Sequence, residues 1–379
     1  MNITQIRAQF PALERIHNGR PVAYFDAPGG TQVPRVVVGA MVEYLSLHNA
    51  NTHWAYPTSA ETDEIIASAR AAAAGFLNAQ AAEVAFGANM TTLTFHLART
   101  LARTWQRGDE VIVTDLDHHA NVAPWRALEM ERGIAVKSAR MLRDTARVDY
   151  EHLAQLVSKR TKLIAIGGAS NAVGTINDLP RVRAIARSAG ALFFVDAVHL
   201  APHARIDVQA IGCDFLAVSA YKFYGPHIGI LFARSELMEA LPFPKLDPAP
   251  NEGPERAETG TQNHEGIAGV KACVEFMNSI GHHEPEFTRM LRDGLKANRR
   301  VRVYGSEPST ATVAFTADGM TAEEVTRRLA DDALFVSHGD FYAQTVVREL
   351  GVEALVRVGC ACYTTREEVD RLIESVSRL

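Results

Sequence analysis

A single cation, Lys222, stands inside the otherwise apolar, aromatic and glycine-bearing stretch AVSAYKFYGPHIGILFA (217–233). Removing an ammonium from water is costly, so such a lysine has two readings. Its stem can lie along apolar surface while the head reaches solvent. Alternatively, a low-dielectric setting depresses its pKa and frees an amine for covalent chemistry. Other reactive residue types recur at the ends of apolar runs. Asp196 closes LFFVD, as a turn cap or as a buried carboxylate. His118 and His119 follow VIVTD. Sequence neighbours seldom point at one ion and no third ligand is suggested, so no metal site is expected. Asn171 follows IAIGGAS in a turn, where asparagine is also common for backbone reasons. GANMTTLTF sets Met90 and Thr91 at a helix start, whose free N–H groups can hold a phosphate or simply be capped. A phosphate site, an aromatic ring for stacking, a buried carboxylate, a donor for a ring oxygen and a lysine amine together describe one cofactor, pyridoxal 5′-phosphate.

The elements that must position these residues alternate along the chain. Ala-rich DEIIASARAAAAGFLNA (63–79) reads as a helix and EVAFGA (83–88) as a strand. TTLTFHLARTLARTW (91–105) is a helix with a repeating apolar face, followed by the strand VIVTD. TKLIAIGGAS, ALFFVDAV, DFLAVSAY and GILFAR are short apolar strands, with helical segments such as RVRAIARSAG between them. This alternation implies a mostly parallel sheet covered on both faces, whose carboxyl edge gathers function. Residues 236–263 form a Pro-rich polar connection. Beyond about 285 the pattern changes to a smaller α+β unit, closed by a helix that Thr365 caps with Glu368 in a capping box. The expected division is a large domain at 21–284 and a small one from 1–20 and 285–379.

Composition narrows the classes. The 379 residues carry 47% hydrophobic and 22% charged residues, ordinary globular values. Lys+Arg 39 against Asp+Glu 44 gives net charge −5 with no basic segment, so neither nucleic acid nor an anionic membrane is an expected partner. No leader-type apolar segment opens the sequence and no run is long enough to span a membrane. Four cysteines, Cys213, Cys273, Cys360 and Cys362, form no metal-type CxxC and no disulfide framework, which suits a reducing cytoplasm.

The order of these motifs resembles the fold-type I PLP-dependent enzymes of the class V aminotransferase and cysteine desulfurase family. The likeness runs from YFDAPGGTQVP through DHHANVAPW, SNAVGTIND, VDAVH, AVSAYKFYGPHIGIL and ETGTQN to VGCACYTTREEVDRL. It implies an α/β large domain, a smaller α+β domain and a homodimer with its sites at the subunit interface. Lys222 would anchor the cofactor and shuttle the substrate α-proton, and Asp196 would pair with the pyridinium nitrogen. His118 would stack on the ring and Asn171 would meet its phenolic oxygen. Met90, Thr91 and Ser219 would bind phosphate, with Thr261 serving the partner subunit's cofactor. Arg357 would grip the α-carboxylate.

Three positions depart from the desulfurase pattern. Tyr221 replaces the histidine before the lysine, and His199 replaces the glutamine after the aspartate. Tyr342, in VSHGDFYAQ, stands where desulfurases carry their nucleophilic cysteine. Period-2 alternation in VRVGCACY turns Cys360 and Cys362 away from the face of Arg357. The implied function is a PLP enzyme acting on a small amino acid, as a β-eliminating C–S lyase or an aminotransferase. A cysteine desulfurase with an external thiol acceptor and a non-catalytic PLP-fold module are the alternatives. His53, Trp54 and Tyr56, with HGDFYA, could form the substrate-selective wall or pack at the dimer interface.

Overall fold

The computed structural model describes residues 1–280 and 285–379. After the short helical segment Ile3–Arg7 come the apolar helix α1 (Arg35–Glu43) and the long helix α2 (Pro57–Leu77). Helix α2 begins six residues earlier than its alanines suggest. Pro57 at its first turn has the φ a helix needs, and Asn78 stops it in the left-handed conformation at φ 56°. Strands β1 (Val84–Gly87), β2 (Glu110–Thr114), β3 (Ala135–Ala139), β4 (Thr161–Gly167), β5 (Leu192–Asp196), β6 (Phe215–Ser219) and β7 (Gly229–Ala233) form one sheet in the order β1-β7-β6-β5-β4-β2-β3. Only β7 runs against the others, pairing antiparallel with β6 and β1. The α/β class with a mostly parallel sheet, expected from the alternation, is what the chain adopts.

Helices α3 (Met90–Ala102), α4 (Ala123–Arg132) and α5 (Leu179–Ala189) are three of the connections. Their ends follow local rules: the Asn89 side chain accepts the N–H of Thr92, that of Asp178 accepts the N–H of Arg181, and Gly133 and Gly190 close two of them at positive φ. The strands read as uninterrupted apolar runs because both faces are covered, and alternation assigns each side chain to a face. Ile112, Ile164, Ile166, Val195, Leu216 and Val218 enter one core. Val111, Val113, Leu163, Ala165, Phe194, Phe215 and Ala217 enter the other.

Helix α6 (His264–Ile280) packs on α1 and α2. The Pro-rich connection before it is tied down by Glu258, whose carboxylate accepts from Arg70 of α2 at 2.6 Å and from the Phe86 amide of β1 at 2.8 Å. Both side chains of that pair are buried. After residue 284 an antiparallel sheet follows, with strands β8 (Val301–Tyr304), β9 (Thr312–Ala317), β10 (Ser337–Gly339) and β11 (Leu355–Gly359) in the order β8-β9-β11-β10. Helices α7 (Ala322–Asp331) and α8 (Arg366–Ser377) cover it, and α8 carries the Thr365–Glu368 capping box. The boundary expected at 284/285 falls against residues 281–284, outside those described. At the other end, Ile6 and Phe10 enter the first core, while Ala23 and Phe25 enter the core of the small sheet.

Candidate active site

The carboxyl edge of β2, β4, β5 and β6 opens on a cavity of about 540 Å³, lined by His118, Asn171, Asp196, His199, Ser219 and Lys222 among others. Lys222 sits in the single turn after β6. Its Nζ donates to the backbone oxygens of Pro28 (2.7 Å) and Gly29 (2.8 Å), so the N-terminal segment aims the amine. Burial lowers its pKa to about 7; the Arg357 charge also lowers it, and Asp196 opposes both. The covalent-amine reading of Lys222 thus has the electrostatics it requires. Capture of pyridoxal phosphate by the apoprotein should therefore fall about tenfold per unit below pH 7 and level off above it. Stopped-flow absorbance measures this; a rate still climbing through pH 9, as for an ordinary lysine, would contradict the geometry.

Asp196 is the last residue of β5. One carboxylate oxygen accepts the Val198 N–H at 3.0 Å, and burial raises the pKa to about 6. Beneath it lies a second carboxylate that sequence reasoning did not single out. Asp117 is buried and accepts from the Gly167 amide and from both the amide and the hydroxyl of Thr114. Burial, with Asp196 adding to it, pushes its pKa to about 7. Asp117 thereby binds the end of β2 to the end of β4. The only sequence signal was its place in DLDHH.

His118 turns its Nδ1 toward the Ala120 N–H at 2.9 Å, and burial lowers its pKa to about 4. The ring is therefore neutral with its proton on Nε2, and its plane is fixed. Asn171 gives its Nδ2 to the Phe341 carbonyl at 2.8 Å, and its Oδ1 is buried with no partner among the described residues. His199 bonds through Nε2 to the hydroxyls of Thr310 and Thr312, both at 3.1 Å, and burial keeps it neutral. The Met90 amide, expected to face phosphate, instead donates to Ser219 Oγ at 2.9 Å. Ser219 lines the cavity together with Thr91.

A second lobe of about 800 Å³ opens outward over His118 and is walled by Asp340, Phe341, Tyr342 and Arg357. Arg357, on β11, is buried and donates to the Asn171 carbonyl at 2.9 Å. Its guanidinium lies 3.9 Å above the centre of the Phe341 ring, a contact the sequence did not disclose. Phe341 and Tyr342 both have left-handed φ, at 55° and 56°. Such strain persists only where surroundings enforce it, and here the His119 amide holds the Tyr342 carbonyl at 2.7 Å. Tyr342 is 76% exposed, its ring 5.7 Å from that of His118. Thr261 and His53 are exposed and line neither lobe, His53 pairing with Asp63 at 3.1 Å.

The sequence profile described as Aminotransferase class-V matches residues 23–372, nearly the whole chain. The chain belongs to the class-V aminotransferase family. This class-V member is 31% identical to a cysteine desulfurase of Serratia proteamaculans and 34% identical to one of Klebsiella pneumoniae, over 100% of its length and 98% of theirs. Solved structures agree: an apo cysteine desulfurase from Thermococcus onnurineus superposes with TM-score 0.93 at 27% identity. The Escherichia coli cysteine desulfurase CsdA does so with TM-score 0.90 at 29% identity, each match covering 100% of this chain and 98% of the other. The protein is a PLP-dependent enzyme, and the non-catalytic reading is set aside. The residues present fit that cofactor: a depressed lysine, a buried carboxylate, a flat neutral imidazole and an unpartnered Asn171 Oδ1 converge on one cavity.

Proposed function

We propose that this enzyme is a lyase that expels the β-substituent of a small amino acid, cysteine foremost, with transamination open to the same site. One observation carries this reading: Tyr342 occupies the loop over His118, and all four cysteines are buried, at 0–5% exposure. Burial pushes the thiols of Cys213 and Cys273 far above their ordinary pKa, which leaves those two without a thiolate to accept sulfur. When bound, pyridoxal phosphate supplies an electron sink for the charge that develops at the substrate Cα. Arg357 would hold the α-carboxylate from the wall of the second lobe. Asp196 would accept a hydrogen bond from the cofactor's ring nitrogen and so favour its protonated form. His118 would cover the cofactor with an uncharged ring. Lys222, neutral above about pH 7, takes the α-proton at Nζ.

For cysteine, loss of the β-sulfur as hydrogen sulfide leaves 2-aminoacrylate, whose imine tautomer water hydrolyses to pyruvate and ammonia. The names of the relatives favour a second reading, desulfuration to alanine with sulfur passed to an external thiol. Incubation with cysteine separates the two. Pyruvate and ammonia in equal amounts are expected, and alanine as the main product would overturn the lyase assignment. We further infer a homodimer. Val38, Val42, Leu45, Leu47, Trp54 and Tyr56 are exposed apolar residues between positions 38 and 56, more than isolated surface hydrophobics require. His53 and Thr261 are exposed, line neither lobe of their own chain and would reach the partner's site. No helix among the described residues is long and apolar enough to cross a membrane; the cytoplasm stays part of the proposal.

A further inference from the structure

Tyr221 stands where the family likeness leads one to expect a histidine, and the fold brings a different histidine against it. Strands β6 and β7 pair antiparallel with Ser219 opposite Gly229. One step on, the Ala220 amide donates to the Ile228 carbonyl at 2.8 Å, so the next opposed residues are Tyr221 and His227. Directly opposed side chains of an antiparallel pair lie within contact distance. The two rings stack accordingly, with centroids 4.8 Å apart and planes 17° from parallel. Lys222 Nζ lies 4.9 Å from the centre of the same tyrosine ring.

His227 has no other employment. It is exposed, and its ring makes no hydrogen bond with the described residues. It lines the cofactor cavity together with Asn89, Met90, Thr91 and Ser219. Backbone geometry enforces that neighbourhood. Gly229 pairs with Gly87, just ahead of α3, and a Cβ on Gly229 would come within 2.5 Å of the Asn89 backbone. The entry to α3 is thus pressed against the residue two positions after His227. The start of a thirteen-residue helix attracts an anion, yet the Met90 amide is already committed to Ser219. A phosphate dianion there has oxygens to spare for another donor, and His227 is the unengaged imidazole at that end.

We propose that His227 binds the cofactor phosphate, with Tyr221 as the positioning residue that holds its ring. The inference rests on pyridoxal phosphate occupying this cavity. The test is titration of the apoprotein with pyridoxal phosphate, with pyridoxal, which has the same aldehyde and no phosphate, and with inorganic phosphate. Loss of one hydrogen bond to a charged group predicts about tenfold weaker binding of pyridoxal phosphate and of phosphate by His227→Ala. Pyridoxal binding should be unchanged. His227→Gln, which restores an N–H donor, should recover most of the loss, and Tyr221→Leu should show part of it. Unchanged affinity of His227→Ala for pyridoxal phosphate would overturn the inference and leave the cofactor reading intact. Equal losses for pyridoxal and its phosphate would overturn it in favour of a packing role. Wild-type apoprotein that binds neither aldehyde would overturn the cofactor reading itself.

Discussion

Lys222→Ala is expected to lose about a thousandfold in turnover and all the visible absorption of lysine-bound pyridoxal phosphate. Positioned proton transfer alone is worth roughly 10²–10⁴-fold. Here the group is both depressed to a pKa of about 7 and aimed by two carbonyls at 2.7 and 2.8 Å. Alanine removes the amine without crowding, so a small external amine should restore part of the rate from the space vacated. Lys222→Arg should not, because a guanidinium stays protonated and can neither attack an aldehyde nor take a proton. Absorbance and steady-state rates on the three proteins decide the matter. An alanine variant that turns over at the wild-type rate would remove Lys222 from the chemistry.

Much of the site was legible because a parallel sheet announces itself. Strands covered on both faces must be apolar throughout, so a polar residue within a few positions of the end of VIVTD, IAIGGAS, LFFV and DFLAVS marks a carboxyl end. His118, Asn171, Asp196 and Lys222 were found that way, and the fold sets all four around one cavity. What stayed hidden depends on distances in space that no spacing encodes. The Tyr221–His227 stack needs the register of β6 against β7, which comes from sheet pairing across a turn that spacing alone does not define. The Phe341–Arg357 contact joins a loop to a strand sixteen residues away, and the Asn171–Phe341 bond spans 170. Asp117 was overlooked because a carboxylate in a turn ordinarily faces water, and only the packing of β2 on β4 shows it buried. The Met90 amide was assigned to phosphate from helix-end chemistry, which is blind to a serine arriving from a strand 129 residues later.

Arg357→Ala is expected to lower kcat/KM by 10²-fold or more, carried mainly by KM. Truncating a buried, hydrogen-bonded charge costs about 2–5 kcal/mol, which at 1.4 kcal/mol per decade is roughly 30- to 4000-fold. The arginine is 4% exposed and its Nε is buried with no partner among the described residues, so its charge is already desolvated before any substrate arrives. Burial lowers its pKa to about 9, with Asp26 opposing the fall, so it remains a cation at neutral pH. Three contacts leave it one orientation: the Asn171 carbonyl, the face of Phe341, and Gly29, where a Cβ would stand 3.6 Å from Nη2. Such a fork is prepared to meet a carboxylate bidentately without reorganising. Arg357→Lys should therefore rescue little, since a point charge reproduces neither the fork nor the stack. Phe341→Leu should raise KM by a few-fold to about thirtyfold, the worth of a cation–π contact of about 0.5–2 kcal/mol. The control is the decarboxylated amine of the same substrate. It should be equally poor for wild type and Arg357→Ala if the arginine reads the carboxylate. A variant that penalises acid and amine alike would instead show that Arg357 only braces the loop bearing Phe341 and Tyr342.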